Sequence, residues 1–453
     1  MIFTGKASVR DSNFNAVRQL LCAIAVSLTL FPVVQAQQQT QQPKPLSLED
    51  CVRLAESVPN AVSLAQRERE IADRGLTQAR SGFLPQAEIL SGFIYNSPRL
   101  DDRSTFSFAP LNGIRQYTAL GVVTQELDTS GRLRAELQRA RANQQSASMS
   151  VEIARRDLRR AVSIAYYRLL LTRHLVSVIG DALKESRDFE DRARLLFQHG
   201  ESARADVVKA SSQVAFLQQA LAGAELETSL ANQDLAAFWT KEADEPLAIV
   251  DLLEAPLPPP ESETGDAAAK PMNNFAPYLK RLEFSLLDAE RRGFEADAKI
   301  ARAARLPQFN FVYQYGLDST SLRFRERGQA AYFNLRIPVF DWFRARSQIE
   351  QSRLRAAQVE TNRVIFERQF SREHLNALAR VRQLFSQIAL TREQMRLAEE
   401  DLRLSRVRYE GGEGASLDVV TAQNQLAQAR NNYFTSVANY LNARADLEVA
   451  SGK

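Results

Sequence analysis

The stretch RYEGGEGASLDVVTAQNQLAQAR, residues 408–430, places glycine at 411, 412 and 414 between two long runs that contain neither glycine nor proline. One run is Arg344 to Glu410 and the other Ala415 to Ser451. Glycine is a strong breaker of local structure, so the pattern predicts a very long helix, a tight turn and a second helix running back. The three glycines permit positive φ in such a connection. Asp418 lies one turn into the returning helix, where the helix dipole favours a carboxylate.

The same text is written twice. Residues 196–221, LFQHGESARADVVKASSQVAFLQQAL, align with the opening stretch at a constant offset of 212: Phe197 with Tyr409, Gly200 with Gly412, Ala203 with Ala415, Asp206 with Asp418. Val207-Val208, Ala210 and Gln213 continue the match to Val419-Val420, Ala422 and Gln425. Upstream, Leu84-Pro85-Gln86 matches Leu306-Pro307-Gln308, and Leu127-Asp128 matches Phe340-Asp341. Each copy therefore reads helix, strand, strand, very long helix, glycine break, helix. The expected organisation is a first repeat over 47–240, a linker over 241–273 rich in proline and acidic residues, and a second repeat over 274–453.

The long helices set the dimensions. Arg344–Glu410 has 67 residues, or roughly 100 Å at 1.5 Å per residue. Arg132–His199 is almost the same length, interrupted only by Gly180. No compact core has such a span, so these are rods packed side by side. Apolar residues recur at three-, four- and seven-residue steps (Leu158, Val162, Ala165, Leu169; Leu390, Leu397, Leu404, Val407), the narrow stripe of coiled-coil packing.

Four runs alternate like strands: 87–96, 117–126, Phe309 to Tyr315 and Tyr332 to Ile337. About ten residues of alternating polarity is what a strand of a membrane β-barrel requires, with lipid on one side and water on the other. Four strands cannot close a barrel, and an open edge in lipid leaves backbone groups unsatisfied. The reading therefore requires several chains.

The N-terminus reads as an address. Lys6, Arg10 and Arg18 precede an apolar run from Leu20 to Val34, and Val34-Gln35-Ala36 resembles a small-x-small cleavage site. A secretory signal over residues 1–36, followed by a linker over 37–46, is expected. Cys22 falls inside the signal and lacks the small preceding residue of a lipoprotein site. Cys51 is then the only cysteine left, so no intrachain disulfide forms.

Taken together, these pieces resemble the TolC-like outer membrane efflux family. The resemblance rests on the two Tyr/Phe-x-x-Gly-x-x-small-x-x-Asp-Val-Val turns (197–208 and 409–420), the Leu-Pro-Gln strand starts, and the Asp-x-x-Gly-Arg and Asp-x-x-Arg strand exits at 128–132 and 341–344. It spans residues 47–451. It implies a mainly α fold with a membrane β portion. Duplicated long-helix hairpins would form a periplasmic α-barrel, and four strands from each protomer of a homotrimer would make a twelve-stranded barrel among outer membrane lipids. It implies an outer-membrane exit duct of a tripartite efflux or type I secretion system. The tip turns at Gly200, Gly411, Gly412 and Gly414 would meet a periplasmic membrane-fusion adaptor, and beyond it an inner-membrane pump of the RND or ABC type.

The family closes its tunnel at the tip. One acidic-ring position falls on Asp418 and the next on Thr421, so one ring is missing. The latch positions fall on Asp206 and Tyr409, with Gly414 where the family has arginine. The resemblance thus implies a closed state held less firmly. Asp418 has two readings, a cation-attracting ring around the axis and a plain carboxylate at a helix N-terminus.

No enzyme is expected. His174, His199 and His374 stand far apart without ligands at metal spacing, so no metal site and no cofactor are read. Gly412-Glu413-Gly414 lacks the strand and the Gly-Lys-Ser/Thr of a phosphate loop. The interleaved charges, netting +4, mark solvated helix faces and no nucleic-acid footprint. The alternative from another class is a secreted soluble coiled-coil scaffold or periplasmic adaptor.

Overall fold

The structure, a computed structural model of the single chain, describes residues 45–98, 113–259 and 276–452. The expected signal, most of the N-terminal linker and residues 260–273 of the inter-repeat linker lie outside the described residues. The first repeat holds α1 (Leu48–Ser57), α2 (Ala61–Ser81), β1 (Gln86–Tyr95), β2 (Arg115–Leu127), α3 (Arg132–Gln198) and α4 (Arg204–Ala236). The second holds a short 3-10 turn (Pro277–Lys280), α5 (Leu282–Ala303), β3 (Gln308–Ser319), β4 (Arg327–Arg336), α6 (Arg344–Glu410) and α7 (Ser416–Ala450).

α3 and α6 are 67 residues each, and Gly180 passes inside α3 without ending it. The sheet lies at one end of the rods and the glycine turns at the other. α2 and α5 flank the sheet-proximal parts of α3 and α6, while α4 and α7 return from the turns. No described helix is long and apolar enough to cross a membrane.

Each rod starts on an aspartate. Asp128 accepts the backbone N–H groups of Leu133 (3.0 Å) and Arg134 (3.2 Å), and Asp341 accepts that of Ala345 (3.0 Å). These carboxylates satisfy orphan amides at the positive end of the dipole, which explains the aspartate of both strand exits. Gly131 takes φ 76° at the start of α3, whereas Phe343 takes φ 62° at the start of α6, next to Trp342 at 50°. Two bulky residues thus sit in the left-handed region, at about 1–2 kcal/mol each, with Trp342 and Phe343 largely exposed.

The main core sits at mid-rod. Val162, Tyr166 and Leu169 of α3, Leu235 of α4, Val381 and Ile388 of α6 and Tyr440 of α7 close on Cys51 and Ala55 of α1. Cys51 is fully buried, and burial pushes its thiol up to about 11; it serves as a small hydrophobe. The expected stripe residues Val162 and Leu169 of α3 are fully buried, whereas Leu390, Leu397 and Leu404 of α6 remain exposed at 70%, 54% and 47%.

Residues 241–259 of the inter-repeat segment form no helix but are strapped to the rods. Leu46 pairs with Ile249 in a parallel bridge, the Tyr166 hydroxyl donates to the Val250 carbonyl (2.6 Å) and that of Tyr440 to Pro258 (2.5 Å).

A buried charge cluster joins α3, α5 and α6. Arg281, 7% exposed, pairs with Glu283 (2.8 Å) and Glu373 (2.7 Å), and Arg156 also reaches Glu283 (2.9 Å). Burial disfavours the Glu283 carboxylate, but hydrogen bonds from Arg281 and Arg156 outweigh it and hold the group at about 2. A depressed pKa stabilises the fold fully above the ordinary value of 4.5 and ceases to as pH falls toward about 2. Glu283→Gln is expected to cost roughly 2–3 kcal/mol at pH 7. In urea melts, the gap to wild type should close as pH approaches that lower value.

Candidate functional site: the helical tip and the two-faced sheet

The two turns share one geometry. After α3, the N–H of Gly200 donates to the Phe197 carbonyl (3.1 Å) and that of Glu201 to Leu196 (2.9 Å). After α6, Gly412 donates to Tyr409 (3.1 Å) and Glu413 to Arg408 (3.0 Å). Both are Schellman motifs, with Gly200 at φ 77° and Gly412 at 74°. Ala203 and Ala415 then open α4 and α7 in extended conformation. The duplication read at offset 212 is thus a duplication of dihedrals and hydrogen bonds.

The expectation that all three glycines of the second turn supply positive φ holds only for Gly412. Gly411 caps α6 at φ −79°, and a Cβ there would lie 3.4 Å from its nearest neighbour. Gly414 stays outside the left-handed region; it is small because a Cβ would sit 3.0 Å from the Tyr409 nitrogen and 3.1 Å from the Arg408 carbonyl carbon. Gly412→Ala is expected to cost about 1–2 kcal/mol, and Gly411→Ala less than about 0.5 kcal/mol. Chemical denaturation of the two variants against wild type measures the difference.

Asp206 ties the two hairpins together. Its carboxylate accepts the hydroxyl of Ser416, first residue of α7, at 2.5 Å and that of Ser202 at 3.1 Å. The Ser416 bond leads in holding the Asp206 carboxyl below the usual range, against a burial penalty. The Tyr409 ring packs on Phe189 (5.1 Å between centroids), and its buried hydroxyl has no hydrogen-bond partner among the described residues. Asp206 and Tyr409 thus border the same tip without bonding each other. Asp418 is exposed and accepts the Ala415 N–H at 3.3 Å, so its role as a helix-terminal carboxylate is realised in the single chain.

Other tip residues escape sequence reading. Arg192 of α3 pairs with Glu410 of α6, Glu185 with Arg406 (3.0 Å), and Glu399 with Arg430 of α7 (3.1 Å). Ser416 and these ions have partners distant in sequence, where no local spacing signals a pair. Leu195, Phe197, Val208 and Leu417 stand exposed around the turns.

At the other end, the order β1-β2-β3-β4 is antiparallel throughout and continuous from one repeat to the next. Register sorts the side chains by parity. Ile89 opposes Gly121, which opposes Tyr315; Phe93 opposes Tyr117; Phe311 opposes Phe333; Phe309 opposes Leu335. That face is apolar and aromatic, with Ile89 85% and Phe333 70% exposed. The opposite face is the more polar one, carrying Glu88, Gln116, Thr118, Thr124, Asn310, Gln314, Asp318 and Asn334 among apolar residues that include Leu90, Ile94 and the buried Val122 and Val312; Gln116 donates to Asp318 at 2.7 Å. β1 and β4, at the margins of the sheet, are exposed along their whole length.

A sheet greasy on one face and wet on the other, set on rods of about 100 Å, defines a protein that carries a membrane β-sheet on a helical stalk. Residues 54–240 and 280–453 match the outer membrane efflux protein family, and the chain belongs to that family. It is similar to Nodulation protein T of Rhizobium leguminosarum bv. viciae, at 24% identity over 397 residues, 86% of this chain and 78% of the relative. Its fold is that of the outer membrane protein VceC of Vibrio cholerae, with a TM-score of 0.75 at 16% identity, covering 89% of this chain and 96% of VceC. The open-state MtrE outer membrane channel of Neisseria gonorrhoeae gives 0.73 at 20% identity, covering 89% and 88%. The chain is an outer membrane efflux protein, located in that membrane with a long periplasmic extension.

Proposed function

We propose that three copies close their sheets into a twelve-stranded barrel and continue it with their rods as a tunnel through the periplasm. The chain then serves as the passive exit duct of a tripartite efflux or type I secretion system. Substrate arrives from an inner-membrane pump through a membrane-fusion adaptor seated on the glycine turns, and leaves chemically unchanged.

The observation that carries this reading is the sheet. Its apolar face is exposed, its marginal strands β1 and β4 pair with no further strand among the described residues, and each unpaired backbone group in lipid costs several kcal/mol. Closure by further copies satisfies those groups, encloses the polar face around water and offers a partner to the exposed Leu390, Leu397 and Leu404. A soluble scaffold has no use for Ile89, Phe93, Phe333 and Leu335 on one exposed face.

At the tip, we assign the constriction to Asp418, with the Asp206–Ser416 bond and the Tyr409–Phe189 contact holding the hairpins around it. The exposed apolar side chains about Gly200 and Gly412 suit an adaptor helix. Three Asp418 carboxylates around one axis attract cations. Purified protein in a planar bilayer is expected to conduct with cation selectivity, and Asp418→Asn to move the reversal potential in a salt gradient toward zero. Absence of conductance would refute the duct; a reversal potential unchanged by the substitution would refute the constriction alone.

A further inference from the structure

Away from both sheet and tip, three donor groups meet at mid-rod. His174 projects from α3, while Asp251 and Glu254 come from the inter-repeat segment, 77 residues and more along the chain. The imidazole Nε2 lies 2.6 Å from the Asp251 carboxylate, and one ligand atom from each of the three residues lies within 4.8 Å of the others. The local sequence around each histidine holds no ligand pattern, so spacing alone predicts no metal here. The fold supplies the other two groups.

The set is held in place from several sides. The His174 ring stacks on Phe434 of α7 (4.2 Å between centroids, 18° between planes), and its side chain is only 13% exposed. One Asp251 oxygen accepts the Leu253 N–H (2.8 Å), leaving the other turned to His174. Leu253 is buried in the core, the Val250 carbonyl is bound by Tyr166, and Arg173 holds the Leu247 carbonyl. The loop bearing both carboxylates is therefore anchored before any ligand arrives. Glu254 is exposed and hinges on the buried Leu253 beside it.

We propose that His174, Asp251 and Glu254 bind one divalent cation of the zinc class, which clasps the inter-repeat segment to α3. One imidazole with two carboxylates is a borderline donor set suited to Zn²⁺, Co²⁺ or Ni²⁺, and the two carboxylates balance the ion's charge. Tetrahedral bonds of about 2.0–2.2 Å set ligand atoms roughly 3.3 Å apart. His174 and Asp251 must part by under about 1 Å, and Glu254 must swing inward, a motion its exposure permits. Three protein ligands leave the fourth position to water. The bland reading is a His174–Asp251 hydrogen bond with Glu254 as a bystander, and the two readings differ in what Glu254 does.

The test uses the full chain without a tag, purified in detergent and stripped with chelator, then titrated with Zn²⁺ by calorimetry and with Co²⁺ by visible absorption. One ion per chain with micromolar affinity, visible Co²⁺ bands and a raised melting temperature are expected. Glu254→Gln should weaken binding by about tenfold or more, and His174→Ala should abolish it. Glu254 makes no hydrogen bond or ion pair among the described residues, so the result of Glu254→Gln stands even if His174→Ala fails to fold. Lack of saturable binding below millimolar metal, or wild-type affinity in Glu254→Gln, would overturn the proposal. The site does not depend on conduction.

Discussion

Ile89→Arg is expected to prevent stable insertion of the sheet into the outer membrane, whereas Gln314→Arg, one rung away on the opposite face, inserts normally. The two positions lie on adjacent rungs, since Ile89 meets Tyr315 through Gly121 and Gln314 sits beside Tyr315 in β3. Their depth is thus nearly the same and only the face differs. Arginine toward lipid at mid-depth costs about 2–4 kcal/mol per chain, and in the proposed trimer three chains multiply the effect. Arginine toward the lumen meets water. Heat-resistant oligomer on gels and resistance of membranes to urea extraction report insertion. Equal behaviour of the two variants would contradict the assignment of faces. Gln314→Arg should also shift ion selectivity once inserted, because in the proposed barrel its charge lines the pore.

The second large effect is expected at Gly316. This residue has φ 154°, and a Cβ there would stand 2.0 Å from the Ala119 carbonyl oxygen and 2.9 Å from the Leu120 Cα. Both obstacles are backbone of β2, the strand that joins the first repeat to the second, so no side chain can yield. Gly316→Ala should force β2 and β3 apart at mid-strand, costing about 3 kcal/mol or more. Gly328 pairs with Gly316 across β3–β4, yet nothing lies within 4 Å of a Cβ there. Gly328→Ala is expected to lose less than about 1 kcal/mol. Unfolding midpoints of the two variants separate the cases. A shared mild loss would mean that the close approach at Gly316 relaxes without penalty.

What the sequence disclosed follows from what is local. The glycine turns were legible because a single breaker between long uninterrupted helical runs leaves few alternatives. The strands at 87–96, 117–126, 309–315 and 332–337 correspond to observed strands at 86–95, 115–127, 308–319 and 327–336, since period-two polarity is a local signal. The division of labour among glycines 411, 412 and 414 was not legible. It depends on which carbonyl each amide meets and how closely the backbone folds onto Arg408 and Tyr409. Nor were the left-handed Trp342 and Phe343, whose counterpart in the first repeat is an ordinary Gly131. At the tip, Asp206 was found through its repeat partner, but Ser416 was hidden because the bond crosses 210 residues. Separation along the chain likewise concealed Glu185 with Arg406 and the meeting of His174 with Asp251. Composition and period locate elements; the contacts between repeats belong to the fold.

In the proposed assembly a single chain is an incomplete object, finished only when its open sheet is closed by other copies. Native mass spectrometry of the detergent-solubilised protein tests this most directly. Three chains per particle, with folded monomer absent from detergent-free buffer, is the predicted result. A folded monomer stable in dilute aqueous buffer would contradict it.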